Sequence, residues 1–372
     1  MEEIDRRLIE VFLEVASIDG VSARERRVAD HVIARLRQLG LDPVESNPAR
    51  VGGGNAGNVV CAVGAGEADR ALIAHLDTAR PTGGLRTRLL PDRLTSDGST
   101  VLGADNRLGV AILVHLAERV ARGGFDARPF HLAFTVQEET TLAGSAALDV
   151  PRGVRMGFVF DSGLRPGNFV ARSYGARRFH AEIVGRAAHS GIAPEKGIDA
   201  VRIAARAIAR MPLGRIDATT TANLGTLRGG SAINVVPERA ELEGEVRALD
   251  PARVDAVVSD LRSVLLSEAR DAGAKLRFET AWDFHPYEVA AGTLAHREAV
   301  RAIGEAGLIA TAAVSAGGSD ANVLNARGLP TINLGIGAQN AHGDDEFVLL
   351  EDFAACARIA HALVRPDGDP RG

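Results

Sequence analysis

Two histidines and a set of carboxylates stand where strand-like stretches of this chain end. His75 closes the apolar run Ala71-Leu72-Ile73-Ala74, and Asp77 follows two residues later. Asp105 lies in Leu-Gly-Ala-Asp, Glu138 and Glu139 follow the apolar residues 130–136, and Asp161 follows residues 156–160. His342 comes late, in Asn-Ala-His. This is the donor inventory of a hydrolytic two-metal site, in which divalent cations ~3.5–4 Å apart act on one water or substrate oxygen. Cations that close need a carboxylate between them, with nitrogen and oxygen donors completing each shell. His75, Asp105, Glu139, Asp161 and His342 would suffice. Three carboxylates offset most of the charge of two dications, and neutral imidazoles add none. A mixed imidazole and carboxylate shell suits Zn2+, or Co2+, better than Mg2+. Two carboxylates remain for other work. Asp77 is near enough to accept the second ring N–H of His75 and fix its tautomer. Glu138 is placed to deprotonate the attacking water and later to protonate the leaving amine.

These residues must be positioned by elements that the sequence also announces. Residues 5–17 and 23–39 have helical apolar spacing, the second with Ser22 as its expected N-cap and Gly40 as its stop. Short apolar runs at 58–63, 71–75, 130–136 and 156–160 read as strands, and residues 107–122 between them as a helix. Strands alternating with helices, with reactive side chains at the strand carboxyl ends, predict an open α/β sheet. From about 173 to 283 the order changes to strand 179–184, helix 198–211, strands 221–227 and 240–249, helix 251–272 and strand 275–280. That β-α-β-β-α-β order is a ferredoxin-like α+β unit. A helix near 296–306, a buried strand in 328–335 and then His342 follow, so the first domain resumes after the insertion. Gly52-Gly53-Gly54-Asn55-Ala56-Gly57 has dinucleotide-fingerprint spacing, but it precedes a strand instead of linking a strand to a helix, and so reads as a turn.

The ordered motifs His-Leu-Asp-Thr78, Leu-Gly-Ala-Asp105, Gln-Glu138-Glu139-Thr and Gly317-Gly-Ser-Asp-Ala-Asn322 resemble the zinc aminoacylase/carboxypeptidase family of metallopeptidases, which includes acetylornithine deacetylase, succinyl-diaminopimelate desuccinylase and carboxypeptidase G. They are most similar to its peptidase T-like branch, and the likeness extends over nearly the whole chain. The resemblance implies an α/β/α catalytic domain of the dinuclear-zinc exopeptidase type, residues 1–172 and 284–372, and a lid and dimerisation domain at 173–283. It implies that Asp105 bridges the metals, that His75 and Asp161 complete one shell, and that Glu139 and His342 complete the other. Glu138 is then the general base, Asp77 the orienting carboxylate, and the peptide after Asp105 is cis. Asn106 departs from the second acidic residue that many relatives carry there. In the inserted domain, Arg186-Ala-Ala-His189-Ser-Gly matches the stretch whose histidine stabilises the oxyanion. Ser231-Ala-Ile-Asn234 and Glu245-Val-Arg247 match substrate-binding positions, with Asn234 offering an amide and Arg247 a planar fork for a carboxylate.

Composition narrows the alternatives. The 372 residues, 46% hydrophobic and 24% charged, allow two or three cored domains, and the net charge of -5 argues against nucleic acid or an anionic membrane as partner. Cys61 and Cys356 are too few for a disulfide framework. The start, Met1-Glu-Glu-Ile-Asp, lacks the apolar core of a signal peptide, and no apolar run approaches the ~20 residues needed to span a bilayer. The expectation is a cytoplasmic homodimer that cleaves amide bonds, an aminopeptidase on short peptides. An N-acyl-amino-acid deacylase or a glutamate-type carboxypeptidase is the alternative on the same scaffold. A non-catalytic peptide-binding relative is the weaker one, since a binding module has no use for a general base.

Overall fold

The computed structural model describes residues 5–366; the acidic start read from Met1 to Ile4 lies outside them. Contacts divide the chain into two units. One holds residues up to Ala171, Glu288–Val314 and the chain from Ser319 on, and the other holds Arg172–Tyr287 with Ser315–Gly318.

In the first unit a mixed sheet runs, in spatial order, Val44–Glu45, Val59–Val63, Phe130–Thr135, Arg70–His75, Met156–Ser162, Thr331–Gly335 and Asn168–Ser173. The four strands from Phe130–Thr135 through Thr331–Gly335 are mutually parallel. Every residue of Arg70–His75 is buried, as are all of Thr331–Gly335. Parallel strands covered on both faces read as continuous apolar runs, which is why these were visible in the sequence. The flanking strands Val59–Val63 and Asn168–Ser173 pair antiparallel, so the sheet is mixed. Asn168–Ser173 and the small sheet of Thr87–Leu89, Arg93–Ser96 and Phe347–Leu349 add to the elements expected from the sequence, where they carry no strong pattern.

Helices Arg6–Ala16 and Ala104–Ala121 pack on this sheet's layer through Leu8, Phe12 and the apolar residues 108–117. The second helix is Arg26–Gln38. It ends as expected at Gly40, whose left-handed φ of 77° lets Leu41 N–H reach back to the Leu36 carbonyl. Its start differs from expectation. Ser22 does not cap it; the N-cap position is Glu25, whose side chain makes no capping bond. The Ser22 hydroxyl donates instead to Asp77, at 2.5 Å.

The second unit is an antiparallel sheet in the order Gly214–Asp217, Thr220–Gly229, Arg239–Ala248, Gly175–Val184, Lys275–Phe284. Helices Ala200–Ile208 and Pro251–Asp271 cover one face, with Ile203, Val257, Leu261 and Leu265 meeting Phe179, Ile183, Leu242 and Val246. Without the short edge strand this is the ferredoxin-like order. Helix Ala200–Ile208 is shorter than its apolar pattern, because Asp199 caps its start through Arg202 N–H and Pro212 follows its end.

Candidate metal centre

The four parallel strands end at the same edge, and their carboxyl ends deliver the reactive side chains. His75 is the last residue of its strand and 1% exposed. Asp161 lies near the end of Met156–Ser162, and Gln137-Glu138-Glu139 follows Phe130–Thr135 across a sharp turn. His342 comes from the loop after Thr331–Gly335 and has a left-handed φ of 68°. Asp105 breaks the first turn of helix Ala104–Ala121: its φ and ψ are non-helical, and the Asp105–Asn106 peptide bond is cis. An open α/β sheet presents ligand sites at this edge because the helix and loop starts gather there.

The five expected ligands are brought together. Asp105 stands between the imidazoles, with Oδ1 3.2 Å from His75 Nε2 and Oδ2 3.3 Å from His342 Nε2. Asp161 Oδ1 is also 3.2 Å from His75 Nε2, and Glu139 Oε1 is 3.1 Å from His342 Nε2. Glu138 Oε2 is 3.9 Å from His75 Nε2. Two overlapping groups meet the geometric requirement for holding a cation, His75 with Glu138 and Asp161, and His75 with Asp105 and Glu139. His342, with a side chain 48% exposed, closes the solvent side of the cluster.

The donor chemistry fits a cationic guest. His75 Nδ1 faces Asp77, 3.1 Å from its carbonyl and 3.4 Å from Oδ1. With the proton on Nδ1, the Nε2 lone pair points at two carboxylate oxygens, an arrangement that repels unless a cation lies between them. The proton affinities report the same deficit of positive charge. Burial alone would lower His75. The Glu138 charge and the contacts with Asp105, Asp161 and Asp77 overrule it and hold the imidazole well above its ordinary value. Asp105 and Glu139 lift His342 to about 10. Burial, with the neighbouring Asp161, Asp320 and Asp105 charges, pushes Glu138 well above the carboxylate range. Burial and the Asp105 charge raise Asp161 to about 6. A pair of divalent cations would supply the charge that this cluster otherwise takes from protons.

Each donor is held by a partner, and several of these partners left no mark in the sequence. Asn333 spans Asp161: its Nδ2 donates to Oδ2 at 3.3 Å while its Oδ1 accepts Ser162 N–H, so Oδ1 of Asp161 is left facing His75. Glu346, 1% exposed, accepts the N–H groups of Gly103 and Asp105 at 2.7 and 3.1 Å, and burial raises it to about 7. Its neighbours Asp344 and Asp345 are exposed. Asp77 does more than orient His75, because its two oxygens also accept Glu138 N–H and Glu139 N–H at 3.0 and 3.1 Å. Arg107, fully buried, donates to the carbonyls of Leu76, Ile18 and Gly20 and so fixes the strand exit after His75. Asp320 is buried and accepts the Thr135 hydroxyl at 2.5 Å, which ties it to the strand behind Glu138. Asn106 uses its Oδ1 to accept Gly109 N–H at 3.0 Å, inside the helix turn that follows Asp105. The Gly52–Gly57 turn serves the same end. Gly54 leaves room for Gln137, whose amide nitrogen a Cβ would approach to 2.6 Å and which donates to the Val51 carbonyl.

The residues singled out in the second unit are surface groups. His189 and Asn234 lie on adjacent loops, joined by Ser190 N–H to the Asn234 carbonyl at 3.0 Å and by the bridge between His189 and Val235. Arg247 does not present a free fork. Glu245 takes its Nε and Nη2 at 2.8 and 3.1 Å, the Ala316 carbonyl takes Nη1, and the guanidinium lies over the Phe284 ring.

Comparison with known proteins adds independent support. Residues 172–272 match the peptidase dimerisation domain, and residues 94–176 match the M42 glutamyl aminopeptidase model. An uncharacterised protein of Bacillus subtilis, YqjE, is 31% identical over 97% of this chain and 98% of its own length. Peptidase T of Citrobacter koseri is 26% identical over 72% of this chain and 66% of its length. Among solved structures, the aminopeptidase PepT of Bacillus cereus superposes with a TM-score of 0.89 at 31% identity, covering 97% of this chain and 98% of that one. A tripeptidase of Staphylococcus aureus gives 0.91 at 28% identity over the same shares. A dinuclear metal-binding peptidase from the M20 family of B. subtilis shares the fold at a TM-score of 0.72 and 18% identity over 96% of each chain.

Proposed function

Because this chain belongs to the M20 family of metallopeptidases, in its peptidase T-like branch, we propose that it is an aminopeptidase releasing the N-terminal residue of short peptides, tripeptides foremost. The observation that carries this reading is the arrangement around Asp105. One carboxylate offers each of its oxygens to a different imidazole, and each imidazole has its own second carboxylate, Asp161 or Glu139. His75, Asp105, Glu139, Asp161 and His342 would hold two divalent cations, assigned here as zinc with cobalt as a substitute. When bound, such cations polarise the scissile carbonyl and make a water acidic enough to attack at neutral pH.

The chain's own groups do the rest. Glu138, buried and beside the cluster, removes a proton from the attacking water as its oxygen bonds to the carbonyl carbon. It returns that proton to the amide nitrogen as the C–N bond breaks, so the carboxylate ends the cycle unchanged. Asp77 keeps the proton of His75 on Nδ1, so that Nε2 turns its lone pair toward the centre. His189 is assigned as the oxyanion donor, Asn234 as a substrate amide contact, and Arg247, by exchanging Glu245, as the holder of the substrate carboxylate. A homodimer built on the dimerisation domain and a cytoplasmic location complete the proposal. Its structural counterpart is only that no helix among the described residues is long and apolar enough to cross a membrane.

The test is depletion, followed by mass spectrometry, of one pool of free-amine di- and tripeptides and N-acyl amino acids by zinc- or cobalt-loaded protein. Selective loss of tripeptides with release of the N-terminal residue supports the proposal. Loss of the acylated compounds alone would replace it with the deacylase reading.

A further inference from the structure

The turn that carries Glu138 and Glu139 is built on a backbone that L-residues avoid. Gln137 has φ 55°, and Ala23, which approaches it from the N-terminal loop, has φ 67°. A non-glycine residue in that region is strained and persists only where its surroundings hold it. The holder here is one oxygen. Glu25 Oε1 accepts the N–H of Gln137 at 3.0 Å and the N–H of Ala23 at 2.8 Å. Glu25 is 0% exposed, and a buried carboxylate is costly unless hydrogen-bonded. It stands at the N-cap position of helix Arg26–Gln38 but makes no capping bond there, so its side chain serves the turn and not the helix. The next two amides, of Glu138 and Glu139, end on the oxygens of Asp77, which also accepts the Ser22 hydroxyl. Three consecutive N–H groups, 137 to 139, therefore rest on two buried carboxylates, and residues 22–25 reach both.

We propose that Glu25 is a positioning residue of the hydrolytic reaction: by accepting the Ala23 and Gln137 N–H groups with one oxygen, it locks the left-handed turn from which Glu138 and Glu139 project. The inference rests on the assignment of Glu138 as proton carrier and Glu139 as ligand. It adds a group from a distant loop that touches neither substrate nor metal and acts through the backbone of residue 137. A displacement near 1 Å at a reacting group is enough to cost ~10²-fold in rate.

The experiment compares Glu25→Asp, which withdraws the acceptor by one methylene and keeps the charge, with Glu25→Gln, which loses the charge and keeps an oxygen in reach. Each zinc-loaded variant is assayed on a tripeptide for kcat per folded chain and for KM, with thermal melting followed in parallel. Glu25→Asp is expected to lower kcat ~10–100-fold with KM within about threefold, while Glu25→Gln stays within about threefold of wild type. In a Gln137→Gly background, where the left-handed backbone is unstrained, Glu25→Asp is expected to cost less. A Glu25→Asp variant with wild-type kcat, a Glu25→Gln variant as impaired as Glu25→Asp, or an equal cost in the glycine background would overturn the proposal. Glu138→Gln separates the two levels. If it is inactive while Glu25→Asp is normal, only the role of Glu25 fails; if it is active, the underlying assignment fails.

Discussion

The two units carry their candidate functional groups in opposite ways. In the first, the buried Asp77 carboxylate accepts the Ser22 hydroxyl and the Glu138 and Glu139 N–H groups, Asp161 is spanned by Asn333, and Asp105 is anchored through its amide to Glu346. In the second, His189 and Asn234 are exposed loop residues, and Arg247 is occupied by Glu245. The first arrangement is what a charge cluster needs, since rigid surroundings hold donors at fixed separations before any substrate arrives. The second suits groups recruited when a peptide binds, which exchange a water or an internal partner for the ligand. In the proposed reaction the first unit carries the metal ligands and the proton carrier, and the second adds the oxyanion donor and the substrate contacts.

The sharpest way to break this division is to remove the proton carrier. Glu138→Gln is expected to lower kcat by ~10²–10⁴ while metal content, read by elemental mass spectrometry, is unchanged. Loss of metal together with activity would make Glu138 a ligand and dissolve the distinction between holder and actor. Next, His189→Ala is expected to lower kcat ~10²–10³-fold with metal binding intact. A loss below tenfold, measured at saturating tripeptide, would confine the reaction to the first unit. Asn333→Ala leaves both proposed His75-side ligands in place but frees Asp161 to turn. Zinc affinity, read by competition with a chromophoric chelator, is expected to fall ~10–100-fold. An unchanged affinity would show that the ligands need no such support.

The smallest effect concerns pH and stability. His361 is held near 3, by burial first and then by the His115 and Arg119 charges. Its folded value lies below its unfolded one, so the unfolded chain binds the proton first and stability falls as pH drops below about 6.5. Between pH 7 and 5 the loss is at most about 2 kcal/mol, reduced by the solvent exposure of the ring. His361→Phe, packed beside Phe125, should flatten the pH dependence of the melting temperature over that window. An unaltered slope would assign the acid sensitivity to other groups.

How much of this was legible depends on sequence distance. The parallel strands are short uninterrupted apolar runs, so their carboxyl ends, and with them His75, Glu138, Glu139 and Asp161, could be picked out one by one. The inserted unit was legible through the order of its strands and helices. Glu25, Asn333 and Glu346 were not, because each earns its role from a partner 112, 172 or 241 residues away, and nothing local separates Glu346 from Asp344 or Asp345. The local context of Ser22 reads as a helix cap, whereas its hydroxyl faces Asp77, 55 residues on. Arg247 shows the converse. Its partner Glu245 is two residues away on the same strand face, a spacing the period of a strand makes visible.

In the proposed centre Asp105 stands between two cations, one shared with His75 and Asp161 and the other with His342 and Glu139. Anomalous diffraction on either side of the zinc absorption edge, from zinc-loaded crystals, tests it directly. Two peaks ~3.5–4 Å apart, flanking the Asp105 carboxylate, are the expected result. A single peak, or a pair that leaves Asp105 outside the bridge, would contradict it.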